Sequence, residues 1–175
     1  MWMTRRPHHA LASCCAVSLC TIACGSAPPT APSSPPQPLQ ISLEAEAGLG
    51  QGERMERTAA SGGITIHLAP GEHRQWRFTT VGSRTDYIIS VRYSNDELTD
   101  SEVLRAAVDG VTIGAFRAQD TGDDGAGWNA FVSDRVGRAP FEPGVHTLDL
   151  ESSGGDGCIE IDLVALVPAA TEGAG

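Results

Sequence analysis

Three acidic residues in strand-like segments are the best candidates for chemistry in this sequence. Glu44 and Glu46 are two positions apart in a segment of alternating polarity, so a strand there would project both carboxylates from one face, about 6.6 Å apart. Asp162 has the corresponding outward position in the last strand-like segment. Carboxylate oxygens suit Ca²⁺, which takes roughly six to eight oxygen ligands. A solvated acidic edge explains the same spacing, and the residues alone leave both alternatives open.

Motifs for other chemistry are missing from the sequence. His67, His73 and His146 lack the spacing of zinc ligands. There is no Gly-x-Ser-x-Gly elbow and no phosphate-binding loop. With 22 acidic residues, some pair could always be nominated as the acid and base of a glycosidase, but nothing singles one out. The sequence therefore predicts no catalytic residue and no enzyme.

The elements that would position these acids are β-strands. Apolar and polar side chains alternate over 41–47, 87–93 and 159–167, which places one row of each segment in a core and the other row outside. In the last segment the alternation predicts that Leu163 and Val167 face the core. The remaining predicted strands span 64–68, 75–79, 104–108, 111–116 and 145–151.

The strands are short and are separated by Gly-rich turns. Asp109-Gly110 is typical of a tight two-residue hairpin turn, because both residues readily take positive φ angles. About eight antiparallel strands of this kind indicate an all-β sandwich of the jelly-roll type, predicted here over residues 41–168. A flexible tail is predicted over 169–175.

The first 40 residues are predicted to be an export and anchoring segment. Arg5 and Arg6 precede an apolar run over 10–23, which is typical of a secretory signal. The run ends in Thr21-Ile22-Ala23-Cys24, which resembles the lipobox of bacterial lipoproteins, in which the cysteine carries lipid. Lipid at Cys24 would anchor the chain to a membrane of the cell envelope. An ordinary cleaved signal with soluble export is the alternative.

Between this anchor and the strands lies a proline-rich stretch, and the composition excludes several classes of protein. Residues 24–40 are predicted to form a semi-rigid tether. The length of 175 residues favours one domain, and the net charge of −10 argues against nucleic-acid binding. No stretch approaches the roughly 20 apolar residues of a membrane-spanning helix.

Six short segments occur in the order seen in carbohydrate-binding modules of families 6 and 35. The resemblance covers residues 41–167, essentially the whole predicted domain. The segments are Leu43-Glu44-Ala45-Glu46-Ala47, Ala60-Ser61-Gly62-Gly63, Val91-Arg92-Tyr93-Ser94-Asn95, Val108-Asp109-Gly110, Pro143-Gly144-Val145-His146-Thr147-Leu148 and Ile159-Glu160-Ile161-Asp162.

This resemblance implies a β-jelly-roll that binds sugars without cleaving them. It also implies a structural Ca²⁺ held by the positions matching Glu44, Glu46 and Asp162. Sugar recognition needs a flat apolar plate and a few directional polar groups. Trp128 matches the loop tryptophan that many of these modules use as the plate, and Asn95 is the best polar candidate. Core packing of Trp128 and a turn role for Asn95 are the alternatives.

Two positions depart from the family pattern. Glu160 stands where family 6 modules usually have Asn, and His67 lies near their second plate, where this sequence has no Trp, Tyr or Phe. Both are candidate ligand contacts, since a carboxylate accepts hydrogen bonds from sugar hydroxyls. The sequence thus predicts a monomeric, surface-anchored, calcium-stabilised glycan-binding module. A structural or adhesive sandwich without a working sugar cleft is the alternative.

Overall fold

The computed structural model describes residues 38–96, 101–122, 127–155 and 157–169. Cys24, the predicted signal segment, the tether up to residue 37 and the tail beyond 169 lie outside these ranges, so their predictions stay untested. No helix in the described ranges is long and apolar enough to cross a membrane.

Eleven strands and two short 3₁₀ helices make up the described domain. The 3₁₀ helices are Ala45–Ala47 and Gly127–Asn129. The strands are β1 (Ile41–Glu44), β2 (Leu49–Gly50), β3 (Glu53–Glu56), β4 (Ile64–Leu68), β5 (His73–Thr80), β6 (Thr85–Asn95), β7 (Val103–Val108), β8 (Val111–Arg117), β9 (Val132–Phe141), β10 (Gly144–Ser153) and β11 (Ile159–Pro168).

The strands form two antiparallel sheets that face each other. The first sheet has the order β3-β4-β11-β6-β9, and β1 also pairs with β11. The second sheet has the order β2-β5-β10-β7-β8. The predicted all-β jelly-roll sandwich is therefore confirmed, and each of the eight predicted segments contains a strand. Strands β2, β3 and β9 were not predicted.

The core lies between the two sheets and follows the period-two pattern. Along β6, Tyr87 and every second residue to Tyr93 are buried, as the alternation predicted. From the facing sheet, Leu148 and Leu150 of β10 have no exposed surface. Trp76 of β5 is also buried, and its indole nitrogen donates to the backbone oxygen of Glu44 at 2.8 Å. The burial of these apolar side chains is the main stabilising contribution to the fold.

Two glycines bring the edge strands of the two sheets into contact. A Cβ on Gly114 of β8 would lie 2.0 Å from the backbone oxygen of Val136, and one on Gly137 of β9 would lie 2.7 Å from that of Ile113. Only glycine permits so close an approach of two backbones. The pairing of β9 with β6 shifts in register: Ile89 of β6 pairs with Gly137, whereas the next residue, Ser90, pairs with Arg135, so that Val136 is the extra residue. This bulge breaks the alternation of β9, which explains why the sequence pattern missed the strand.

A second bulge, in β11, reverses the orientation predicted for the side chains that follow it. The register with β6 shifts between Ile161 and Leu163, so Asp162 is the extra residue. Beyond it the alternation changes phase: Val164 and Leu166 are fully buried, whereas Val167 is 41% exposed. The prediction that Leu163 and Val167 face the core is therefore wrong, because one inserted residue moves every later side chain to the other face.

The first strand is also shorter than predicted. It ends at Glu44, and Ala45–Ala47 turns into a 3₁₀ helix. Glu44 and Glu46 therefore do not project from one face of a strand, and that part of the prediction is wrong. The turn packs Ala45 into the core, where its backbone oxygen accepts from Nε of Arg74 at 3.0 Å.

A histidine links the predicted hairpin turn to β10. The turn Asp109-Gly110 has φ angles of 48° and 80°, as expected for a tight hairpin. Nδ1 of His146 lies 2.7 Å from Oδ2 of Asp109, and Nε2 lies 2.8 Å from the backbone oxygen of Glu142. Both partners only accept hydrogen bonds, so the ring donates from both nitrogens and is an imidazolium. Although burial lowers the pKa of His146, its bonds to Asp109 and Glu142 outweigh this and raise it.

This geometry predicts that the domain loses stability in weakly alkaline solution. A raised pKa in the folded state gives a stabilising contribution that is complete below the unfolded value of 6.5 and is lost as the pH rises through the folded value. We expect the melting temperature to fall as the pH increases above about 6.5. His146→Gln should remove this dependence, whereas His73→Gln, at an exposed position of β5, should keep it. A wild-type melting temperature that stays constant from about pH 6 to 9 would contradict the assignment.

Candidate functional site

A fully buried carboxylate lies at the centre of the first sheet. Glu160 of β11 is directly opposite His67 of β4 on one side and Ser94 of β6 on the other. Its side chain has no exposed surface. Oε2 accepts from Nε of Arg57 at 2.7 Å and from the hydroxyl of Thr65 at 2.8 Å, and Oε1 accepts from Nη2 of Arg57. Arg57 follows directly after β3, so three neighbouring strands supply these groups.

These contacts keep the carboxylate ionised. Burial by itself raises the pKa of Glu160, but the close approach of His67 and the hydrogen bonds from Arg57 and Thr65 outweigh it, so the pKa is lowered. Correspondingly, the hydrogen bond to Glu160 raises the pKa of Arg57 in spite of partial burial. The structure therefore holds Arg57 and Glu160 as a charged pair.

Trp128 packs beside this pair. It lies in the short 3₁₀ helix Gly127–Asn129 and is half-buried. The centroids of the Trp128 and His67 rings are 5.4 Å apart, with the planes inclined by 55°. Cζ of Arg57 is 5.8 Å from the centroid of the indole, which is within cation–π range. We call Arg57, His67, Trp128 and Glu160 the arginine–tryptophan cluster.

A second arginine repeats this arrangement two residues further along β11. Arg92 of β6 pairs with Asp162, which is also fully buried, and donates to the backbone oxygen of Ala59 at 3.1 Å. Its Cζ lies 4.6 Å from the centroid of the Phe131 ring. Each buried acid of β11 therefore holds one arginine against one aromatic ring of the segment 128–131.

Asn95 lies apart from the arginine–tryptophan cluster. It pairs with Ile159 and shares the core-facing side of the sheet with it, whereas Glu160 is on the other side. Its Oδ1 and Nδ2 are buried, without a hydrogen-bond partner in the described part of the chain. The backbone of Asn95 is tied to Thr121, whose hydroxyl is 3.0 Å from the Asn95 nitrogen. The structure thus brings Trp128, His67 and Glu160 together and leaves Asn95 on the core-facing side of the sheet.

The three predicted metal ligands surround one loop. Ser61 donates from its hydroxyl to Oε1 of Glu44 at 3.0 Å and from its backbone nitrogen to Oδ1 of Asp162 at 2.8 Å. A Cβ on the next residue, Gly62, would lie 2.7 Å from Oε1 of Glu46. Oε2 of Glu44 and Oε2 of Glu46 are buried and have no hydrogen-bond partner among the described residues. Two unpartnered carboxylate oxygens are a donor set that fits a hard cation.

This donor set is not already arranged as a metal centre. Over residues 38–96, 101–122, 127–155 and 157–169, no group of three or more His, Cys, Asp and Glu side chains lies in a metal-holding arrangement. Both oxygens of Asp162 already have partners, Oδ1 in the backbone nitrogen of Ser61 and Oδ2 in Arg92.

Arg57 and Thr65 are site residues that the sequence reasoning missed. The available signal was Glu160 itself, since a carboxylate in a central strand is almost never buried without a charged partner. That requirement predicts an arginine nearby, because the chain contains no lysine. It does not say which arginine, and Arg57 is separated from Glu160 by 103 positions.

Comparison with known proteins identifies the fold. No family model matches the sequence, and no curated protein matches it. A family 35 carbohydrate-binding module from Clostridium thermocellum superimposes with a TM-score of 0.62 and 18% identity, over 75% of this chain and 99% of the module. The C-terminal family 6 module of a laminarinase from Zobellia galactanivorans gives 0.59 and 16%, over 74% of this chain and 99% of the module.

An enzyme with an attached module gives a similar match. A β-(1,4)-mannanase with a family 35 module from Podospora anserina superimposes with a TM-score of 0.60 and 15% identity, over 77% of this chain. The chain spans only 29% of that enzyme, whereas it spans almost all of the two isolated modules. At these identities the matches establish the fold, and the described domain has the β-sandwich fold of carbohydrate-binding modules of families 6 and 35.

Proposed function

We propose that this chain is a noncatalytic carbohydrate-binding module whose site is the arginine–tryptophan cluster. The observation that carries the proposal is a half-buried Trp128 beside a guanidinium that is fixed by a buried carboxylate. An indole offers the flat apolar surface on which the C–H face of a pyranose stacks, and Arg57 offers N–H donors for its hydroxyls. The fold, shared with carbohydrate-binding modules, supports this reading.

Glu160 acts in this proposal as a positioning residue. Its side chain has no exposed surface, and its oxygens already accept hydrogen bonds from Arg57 and Thr65. It therefore orients the guanidinium, and Arg57 contacts the sugar in its place. His67, with 27% of its side chain exposed, packs against the indole at a centroid distance of 5.4 Å.

A structural or adhesive sandwich without a sugar cleft is the second candidate, and one observation favours it. A pyranose between two plates needs a gap of roughly 7–8 Å, twice an ordinary van der Waals contact. The His67 and Trp128 centroids are only 5.4 Å apart, so no ring fits between them. A sugar must therefore stack on the outer face of Trp128, and binding depends on that face alone.

Calcium and surface anchoring complete the proposal. We infer that Ca²⁺ binds at Glu44 and Glu46, whose unpartnered oxygens it would satisfy, with Asp162 as the third ligand. The bound ion would hold the 3₁₀ helix after β1 against the loop of Ser61. Its role is structural, because the arginine–tryptophan cluster does not include these acids.

The position of the site suits a chain that is tethered through its N-terminal side. Both described ends of the domain lie near Tyr87: its hydroxyl donates to the backbone oxygen of Leu39 at 3.3 Å, and Tyr87 pairs with Pro168. Ser94, which is directly opposite Glu160, is seven residues further along the same strand, or about 23 Å away. The site is thus at the opposite end of β6 from both described ends of the domain.

Trp128→Ala separates the two candidates. If the site binds sugar, this variant should lose at least about fivefold in affinity, taking the roughly 1–3 kcal/mol by which an aromatic side chain stabilises a stacked nucleic-acid base as the scale for a stacked ring. Affinity electrophoresis in mannan and laminarin gels with Ca²⁺ present, extended by a glycan array, measures the effect. Leu49→Ala, an exposed apolar residue on the other sheet, is the matched control. Absence of wild-type binding to every glycan would contradict the proposal.

A further inference from the structure

The guanidinium of Arg57 has one edge bound to protein and one edge open. Nε and Nη2 donate to the two oxygens of Glu160, so this edge is fully used. Nη1 has no hydrogen-bond acceptor among the described residues, and 20% of the side chain is exposed. The edge formed by Nη1 and Nη2 therefore presents a pair of parallel donors beside Trp128. Glu160 fixes the position of this edge, and Thr65 in turn donates to Glu160.

Two kinds of ligand group match such a donor pair: a carboxylate, or two adjacent hydroxyls on a sugar ring. The surroundings favour the neutral group. The charge of Arg57 is already balanced by Glu160, and Glu53, which is exposed, is directly opposite His67 across β3 and β4. The exposed Glu56 immediately precedes Arg57, and the whole chain carries a net charge of −10. An anionic sugar would approach against these carboxylates.

We propose that the open edge of Arg57 binds two adjacent hydroxyls of the sugar that stacks on Trp128. The site then selects neutral glycans whose residues keep an unsubstituted vicinal diol. This inference rests on the proposed function and names the ligand class of the same site. Internal residues of a 1,4-linked pyranose chain keep hydroxyls at both C2 and C3. Internal residues of a 1,3-linked chain have no such pair, because the oxygen on C3 is in the linkage.

Periodate oxidation tests the proposal without changing the protein, since periodate cleaves the carbon–carbon bond of a vicinal diol. The full chain is titrated, with Ca²⁺ present, against β-1,4-mannan, β-1,4-xylan, laminarin and polygalacturonate. We expect the tightest binding to a neutral 1,4-linked polymer, and at least a tenfold loss when that polymer has been oxidised with periodate. Unchanged affinity after oxidation overturns the inference and leaves the proposed function standing.

Protein variants give a second, independent readout. Arg57→Lys keeps the charge but has no planar donor pair, so we expect at least a tenfold loss of affinity for the preferred polymer. Arg77→Lys, at an exposed position of β5 in the other sheet, is the matched control and should bind as the wild type does. Wild-type affinity in Arg57→Lys overturns the inference. Preference for polygalacturonate with strong salt dependence also overturns it, and no binding to any polymer overturns both proposals.

Discussion

Replacing Arg57 by alanine is expected to lower the free energy of unfolding at pH 7 by about 3–5 kcal/mol. The variant leaves the carboxylate of Glu160, which has no exposed surface, without its charged partner. Thr65 still donates one hydrogen bond and Nδ1 of His67 stays 3.5 Å from Oε1, but neither replaces a guanidinium that donates to both oxygens. Urea denaturation monitored by tryptophan fluorescence measures the loss.

The loss of stability caused by Arg57→Ala should become smaller as the pH falls. In the wild type the pKa of Glu160 is lowered, so the pair contributes stability above the unfolded pKa of about 4.5 and loses it as the pH falls through the folded value. In Arg57→Ala the buried carboxylate is relieved by protonation, so the variant should become relatively more stable between pH 7 and about pH 5. A loss that is the same at both pH values would contradict the assignment of the charge to Glu160.

A matched pair of controls isolates the charge from the lost packing. Arg57→Ala combined with Glu160→Gln removes the buried charge and should recover a large part of the stability. Arg77→Ala shortens an exposed arginine on the other sheet and should change the free energy of unfolding by less than about 0.5 kcal/mol. If the double variant is no more stable than Arg57→Ala, the pair is not the cause of the loss.

Hydropathy alternation was sufficient to predict the class of fold, and its failures at β11 and β9 have one physical origin. β6 has no bulge of its own that moves a core residue, and its buried row from Tyr87 to Tyr93 was predicted in full. β11 and β9 contain an extra residue, at Asp162 and near Val136, and a period of two does not survive an insertion. A bulge depends on how two strands pair, so the sequence of one strand alone does not predict it.

The candidate site was predicted in its aromatic part and missed in its charged part. The family resemblance led to Trp128, Glu160 and His67, which the structure places in contact or close to it. It did not lead to Arg57, which follows a strand that the pattern did not show. Which arginine pairs with Glu160 depends on how the strands align in the folded sheet, and the local sequence does not specify that alignment.

Removal of calcium is expected to destabilise the domain by about 2.7 kcal/mol where the wild type had been held in a hundredfold excess of the ion over its dissociation constant. An ion bound by Glu44 and Glu46 in the native state, and by little in the unfolded chain, stabilises by mass action. For a domain of this size the loss corresponds to a melting temperature lower by roughly 8 °C. Differential scanning calorimetry in CaCl₂ and in EDTA at constant pH and ionic strength measures it.

The two unpartnered oxygens belong to Glu44 and Glu46, so substitution of these residues tests the calcium prediction. Glu44→Gln combined with Glu46→Gln removes both ligating charges at nearly constant volume, so the double variant should melt at one temperature in CaCl₂ and EDTA. It should also be more stable than the calcium-free wild type, because two buried carboxylate oxygens without a partner have been replaced by neutral amides. Glu56→Gln, at an exposed position of β3, should keep the full calcium response. If the wild type melts identically in both solutions, Glu44 and Glu46 do not hold calcium.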